Sequence, residues 1–317
     1  MMTETEERGA AQTRASLVIL AAGMGSRYGG LKQMESVGPN GELLIEYSIF
    51  DALAVGIHRI VFVIQKMQED SLRELLAHKL EGRCEMAFVH QEVSHLPPGA
   101  DLPVERRRPW GTGHAVLSSR EEVRGPFAVI NADDFYGRDS FAQLAASLGG
   151  TRNHGDRYSL IGFDLEKTLT AHGTVSRGIC TVDEKGFLTQ IEERTRVELR
   201  DAHIVFLDET GEVQELPDDA IASMNMWAFP TSFMRELERK FSDFLADPHT
   251  DMAHDEFLLP GAVSDLVAEK RAVVRVLPTS ARWMGITYRD DILHVREELQ
   301  TLIDAGVYPP DLWGNAP

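Results

Sequence analysis

Only two cysteines occur in 317 residues, Cys84 and Cys180, and they stand far apart with no CxxC spacing. This excludes a disulfide framework or a thiolate zinc site and leaves two buried thiols in a reducing compartment as the expectation. Long hydrophobic runs are also missing, since no segment approaches the roughly 20 apolar residues of a membrane span. Basic residues are scarce: 32 Lys and Arg stand against 50 Asp and Glu, a net charge of -18. Phosphate backbones and anionic bilayers are held by excess cations, so neither nucleic acid nor membrane is an expected partner. Any anionic ligand must be gripped by a local basic site. The opening MMTETEERGAAQTR lacks an apolar h-region and is read as a disordered tail, 1–14, on a cytoplasmic protein.

What remains is a chain, 43% hydrophobic and 26% charged, that can bury a substantial core as one domain over 15–317. SLVILAA (16–22), RIVFVIQ (59–65), CEMAFVHQ (84–91) and FAVINAD (127–133) read as strands. LLIEYSIFDALAVG (43–56), QEDSLRELLAHKL (68–80) and TGHAVLSSREEV (112–123) read as helices between them. Such alternation predicts an α/β, Rossmann-like, mainly parallel sheet covered by helices on both faces. After Gly150 the pattern turns β-rich, with RYSLIGFDL, RGICTVDEKGFLTQIEER and ASMNMWAF as strand segments and 195–220 as an insertion. Helices are predicted near 231–246, 254–269 and 289–305. The first half, 15–150, reads as a nucleotide-binding unit and the second, 151–317, as a substrate-side extension.

In an open α/β sheet, ligands bind outside the carboxyl ends of the strands, which draws attention to the loop after the first strand. There LVILAAGMGSRYGGLKQM combines four glycines with Arg27 and Lys32. Bare backbone N–H groups and two cations suit a polyphosphate, although the spacing matches neither the dinucleotide fingerprint nor the Walker A pattern. A tight structural turn is the competing explanation. Asp133 ends a predicted buried strand, where a carboxylate needs a cation or hydrogen-bond donors; it and Asp134 are also open to a turn or N-cap role. ERRRPW (105–110) reads as solvated arginines, with an arm to phosphate as the alternative.

LAAGMGSRYGGLKQ resembles the signature loop of the nucleotidyltransferases that join a nucleoside triphosphate to a sugar 1-phosphate, the NDP-sugar pyrophosphorylases. WGTGHAV (110–116), NADDFYG (131–137), GICTVDEKGFLTQIEERT and MNMWAF are similar to further motifs of that family in the same order. The resemblance implies a GT-A-type fold and a Mg²⁺-dependent transfer that forms an NDP-sugar and pyrophosphate. It assigns the nucleotide to Ala21, Ala22, Gly23, Met24, Gly25, Ser26, Arg27, Gln91, Gly111 and Thr112. Lys32, Gly178, Glu193, Arg194 and Asn225 are assigned to the sugar phosphate, and Asp133, in preference to Asp134, to the metal. Arg27, Lys32 and Asp133 form the implied catalytic set, and UTP is the first expectation, then dTTP or CTP. A GT-A-type glycosyltransferase, a molybdenum-cofactor-type nucleotidyltransferase and a sensor without turnover are the alternatives. Many members carry a carboxylate after the tryptophan of the last strand. Here RWMGITYRDD (282–291) has Gly285 there, with Thr287, Tyr288 and Asp290 nearby. The sequence sets no oligomeric state.

Overall fold

A computed structural model describes residues 15–23, 36–151, 155–170, 173–208, 210–286 and 291–314. The predicted strands form a parallel core: β1 (Ser16–Leu20), β2 (Arg59–Ile64), β3 (Glu85–His90) and β4 (Phe127–Asn131) stand in the order β3-β2-β1-β4. The runs of β1, β2 and β4 are largely apolar because both faces are covered, β3 at the edge is only partly buried, and successive side chains divide between two cores. Leu17, Ile19, Ile60, Phe62, Ala128 and Ile130 enter one cluster; Val18, Val61, Val63, Phe127 and Val129 enter the other. The first cluster is closed by α1 (Leu44–Ala54), α2 (Glu69–Leu80) and α4 (Arg138–Thr151). The second is closed by α3 (Thr112–Ser118), α5 (Phe233–Ala246) and α6 (Leu259–Ala268). Helices therefore cover both faces, as predicted.

Beyond β4 the sheet turns antiparallel. β11 (Ile221–Phe229) pairs with β4 through Trp227–Phe229 and with β7 (Val175–Val182) through Ile221–Ser223. Between these two pairings the register of β11 shifts, and Asn225 there has φ 60, a left-handed conformation that asparagine tolerates better than most residues. The other elements on this side are β5 (Asp134–Phe135), β6 (Arg157–Asp164), β8 (Leu188–Arg200), β9 (His203–Leu207), β10 (Val213–Glu215), β12 (Val273–Pro278) and β13 (Met284–Gly285). β6 pairs with β11 and β12, while β8, β9 and β10 extend the edge.

Several boundaries differ from the sequence expectation. The segment 195–220 is no detached insertion, since β8 continues to Arg200 and β9 and β10 join the same sheet. The β-rich segment 177–194 is a hairpin of β7 and β8, turned at Asp183, whose Oδ1 accepts from the backbone N–H groups of Lys185 and Phe187. α4 was not anticipated, and α6 begins at Leu259 after a turn held by Asp251 and Asp255. α7 (Asp291–Asp304) and Tyr308 pack with Tyr47 and Phe135 in a third apolar cluster. Cys84 is half-buried and Cys180 buried; burial pushes the thiols up to about 11 and about 12, so both stay protonated. Among the described residues no helix is long and apolar enough to cross a membrane.

Candidate active site

Two clefts open beside the carboxyl ends of the parallel strands. The first, about 770 Å³, is lined by Ala22, Gly23, Gln91, Gly111 and Thr112 together with Arg107 and Arg108. The second, about 590 Å³, is lined by Asp133, Gly178, Glu193 and Asn225, and by Asp134, Arg177 and Trp283. Thr112 lines both, so the two spaces adjoin. Residues from separate stretches of sequence meet here: the ends of β1, β3 and β4, the turn before α3, and the paired strands β7, β8 and β11.

The end of β1 is anchored from the β2–α2 connection, where the Gln65 amide donates to the Ala22 carbonyl at 3.0 Å and the Gln68 amide to that of Ala21 at 3.3 Å. Met24, Gly25, Ser26, Arg27 and Lys32 lie outside the described residues. So do Thr287, Tyr288, Asp290 and the segment 1–14.

Gly111 and Gly113 are required by packing. Gly111 has φ 100, and a Cβ there would lie 2.7 Å from the Phe257 carbonyl oxygen; one on Gly113 would lie 2.7 Å from the Phe257 ring. The turn is laced to the 257–259 segment by Phe257 N–H to Trp110 O at 2.6 Å and Gly113 N–H to Phe257 O at 2.9 Å. Thr112 does not cap its own helix. Its hydroxyl accepts the Leu259 N–H at 2.9 Å, which satisfies a first-turn donor of α6.

ERRRPW departs from a solvated run. Arg106 is 1% exposed, stacks over Trp110 at 4.1 Å, and donates to the carbonyls of Arg108, Pro109, Met252 and Asp255. It staples the loop, and only Arg107 and Arg108 reach the first cleft.

In the second cleft Asp133 is partly exposed, whereas Asp134 is buried and accepts from the Asn131 amide at 2.8 Å and the Tyr136 hydroxyl at 3.2 Å. The Asn225 amide nitrogen donates to Asn131 Oδ1 at 2.8 Å, and Asn225 Oδ1 accepts the Trp227 indole N–H at 2.9 Å. Asn225 thus ties the β11 irregularity to the end of β4 and keeps one amide hydrogen for the cleft. Gly178 and Glu193 face each other across β7 and β8. Strand alternation sends Arg194 to the opposite face, where it pairs with Glu192 and lies 4.8 Å over Phe206. The structure does not bring Arg194 into the cleft with Glu193.

The guanidinium beside this cleft is Arg177, which sequence reasoning missed. It stacks over Trp283 at 4.7 Å and donates to both Thr168 oxygens and the Ser176 carbonyl. Burial pushes its pKa down to about 10, opposed by Asp134 and Asp291, so it is charged at neutral pH. Its signal lay in VSRGICTV, where Arg177 shares the inward phase of Val175. Trp283 explains Gly285: a Cβ at 285 would lie 2.3 Å from the indole ring. Among the described residues no group of three or more His, Cys, Asp or Glu could hold a metal by itself.

Comparison with known proteins agrees with this layout. Residues 16–236 match the model of the Nucleotidyl transferase family. The chain is 31% identical over 172 residues to the bifunctional protein GlmU of Hyphomonas neptunium, a match that covers 52% of this chain and 30% of that protein. The fold is similar to that of the inositol-1-phosphate CTP transferase from T. maritima, with TM-score 0.58 at 13% identity over 90% of this chain and 96% of that one. HddC from Yersinia pseudotuberculosis gives a TM-score of 0.55 at 16% identity, over 90% and 99% of the two chains. With a family match that spans most of its length and a sheet that ends in two adjoining clefts, the chain belongs to the nucleotidyl transferase family.

Proposed function

We propose that the protein is a Mg²⁺-dependent sugar-1-phosphate nucleotidylyltransferase that forms an NDP-sugar and pyrophosphate. The single observation that carries this reading is the pair of clefts that adjoin at Thr112, one lined by Gln91 and Gly111 and the other by Asp133, Gly178, Glu193 and Asn225. One is the nucleotide cleft and the other the sugar-phosphate cleft. UTP is the first candidate triphosphate, then dTTP or CTP.

An oxygen of the sugar phosphate attacks the α-phosphorus in line, the bond to the β-phosphate breaks, and pyrophosphate departs. Both reactants are anions, so their repulsion must be cancelled and their approach fixed. Arg27 and Lys32 carry that charge in this reading. The Asp133 carboxylate is a hard oxygen donor on the cleft wall and suits Mg²⁺, which usually keeps waters alongside one or two carboxylates and substrate phosphates. When bound, the cation neutralises phosphate charge. Glu193 accepts from sugar hydroxyls, and Asn225 offers its remaining amide hydrogen. Phosphate oxygens need no general base at neutral pH, and His114, pushed down to about 4 by burial, is not assigned one.

A grid of nucleoside triphosphates against sugar 1-phosphates, read as pyrophosphate release with Mg²⁺ present, tests the proposal. The expected result is turnover in a few cells of one triphosphate row. A flat grid overturns it in favour of a nucleotide-sugar sensor.

A further inference from the structure

Gln91 lies at the end of β3 with two polar neighbours. Its amide nitrogen is 2.9 Å from the Gly111 carbonyl oxygen and 3.2 Å from His114 Nδ1. A carbonyl can only accept, so the nitrogen rather than the oxygen of the amide must face Gly111. His114 Nε2 is in turn 2.9 Å from the His95 carbonyl, again an acceptor. The ring proton therefore sits on Nε2, and the Nδ1 lone pair receives the second amide hydrogen of Gln91. Both donors of Gln91 are used inside the protein. Among the described residues no donor meets its Oε1, and Gln91 lines the first cleft.

We infer that His114 is a positioning residue for base selection: by accepting from Gln91 it holds that amide with only an acceptor presented to the first cleft, so the incoming base must bring an N–H. The inference rests on the first cleft being the nucleotide site. The surroundings keep His114 in the required state. It is 2% exposed, Phe241 of α5 lies 5.0 Å from its ring, and burial together with the Arg106 guanidinium opposes a positive charge on it. A protonated ring would turn Nδ1 into a donor aimed at another donor, and the Gln91 amide would have to turn away.

The test compares His114→Asn, His114→Gln and His114→Leu by calorimetric titration of UTP, dTTP, CTP, GTP and ATP. Asparagine can place an oxygen where Nδ1 stands, while glutamine reaches toward His95 and leucine offers no acceptor. Loss of one hydrogen-bond partner at a buried amide corresponds to about tenfold in affinity ratio. The expected result is parent-like discrimination in His114→Asn and a fall of about tenfold in His114→Gln and His114→Leu. In the parent, discrimination between UTP and GTP should also fall as the pH drops through about 4 and His114 charges. Equal loss in all three variants, or parent-like discrimination in His114→Gln, overturns the inference. A variant that fails to fold leaves the other two to decide: parent-like discrimination in either His114→Gln or His114→Leu overturns the inference. A parent that binds none of the triphosphates overturns the nucleotide reading itself, and this inference with it.

Discussion

The indole ring of Trp283 occupies the space that a side chain at position 285 would enter, with its nearest carbon 2.3 Å from where a Cβ on Gly285 would be. The same Cβ would stand 2.9 Å from Asp134 Oδ1. Glycine at this position is thus matched to the tryptophan two residues before it, and a carboxylate cannot simply be restored. Gly285→Asp is expected to lower stability by roughly 1–3 kcal/mol, the range for overpacking, without tightening Mg²⁺ binding. Thermal unfolding and metal titration check both halves; a fully stable variant with tighter metal binding would show that Trp283 moves aside freely.

The two aspartates of NADDFYG should separate in their effects. Asp133→Asn is expected to abolish turnover and spare the melting temperature, because Asp133 is partly exposed on the cleft wall. Asp134→Ala is expected to lower stability by about 1–3 kcal/mol, since the Asn131 amide loses its acceptor, whereas the Tyr136 hydroxyl keeps the Met224 carbonyl at 2.9 Å. Turnover by Asp133→Asn at the parent rate would shift the metal to another oxygen.

The glycines around Thr112 give a contrast within one turn. Gly111→Ala and Gly113→Ala should each destabilise the protein. A Cβ on Gly113 meets the ring of Phe257 at 2.7 Å and its carbonyl oxygen only at 3.0 Å, whereas one on Gly111 meets the Phe257 backbone alone, at φ 100. In a double-mutant cycle, Phe257→Ala should therefore relieve much of the Gly113→Ala penalty and little of the Gly111→Ala penalty. Equal relief of both would mean that the ring alone makes the constraint.

Asp51 of α1 predicts a pH dependence of stability. Burial pushes its pKa up to about 6, although Tyr308 donates to it at 2.6 Å and Arg138 lies 3.4 Å away. The native state then holds this proton more tightly than the unfolded chain. Its contribution is full below about pH 4 and is lost as pH rises to about 6, with a slope of at most about 1.4 kcal/mol per pH unit. Asp51→Asn should lack that slope, which then appears in the difference between variant and parent. Denaturant unfolding from pH 4 to 8 measures it, and parallel curves would contradict it.

Removing the loop cations should act on rate far more than on folding. Arg27→Ala and Lys32→Ala are each expected to raise the barrier by roughly 3 kcal/mol, the size typical for loss of a preorganised charge at a reacting group. Single-turnover rates and melting curves separate the two effects, and near-normal turnover in either variant would remove that residue from the proposed catalytic set.

By itself the sequence determined the parallel core, because a strand covered on both faces must be apolar at every position and its run stands out between amphipathic helices. It also carried the order of the site motifs, since Gln91, Gly111 and Asp133 follow strands or open turns and Gly178, Glu193 and Asn225 lie within strands, in segments whose residue types are visible one at a time. Only the tertiary structure decided how those residues are used. The 195–200 stretch is rich in charge because β8 is half exposed, so its continuation as a strand depends on pairing with β9 rather than on any apolar run. Glu193 and Arg194 look like a unit in the chain, yet the pleat sends them to opposite faces. Arg106 and Arg177 find their carbonyls and carboxylates in segments up to about 150 residues away. Whether a buried arginine staples a loop or lines a cleft depends on what covers it, and a linear pattern holds no record of contacts made across the fold.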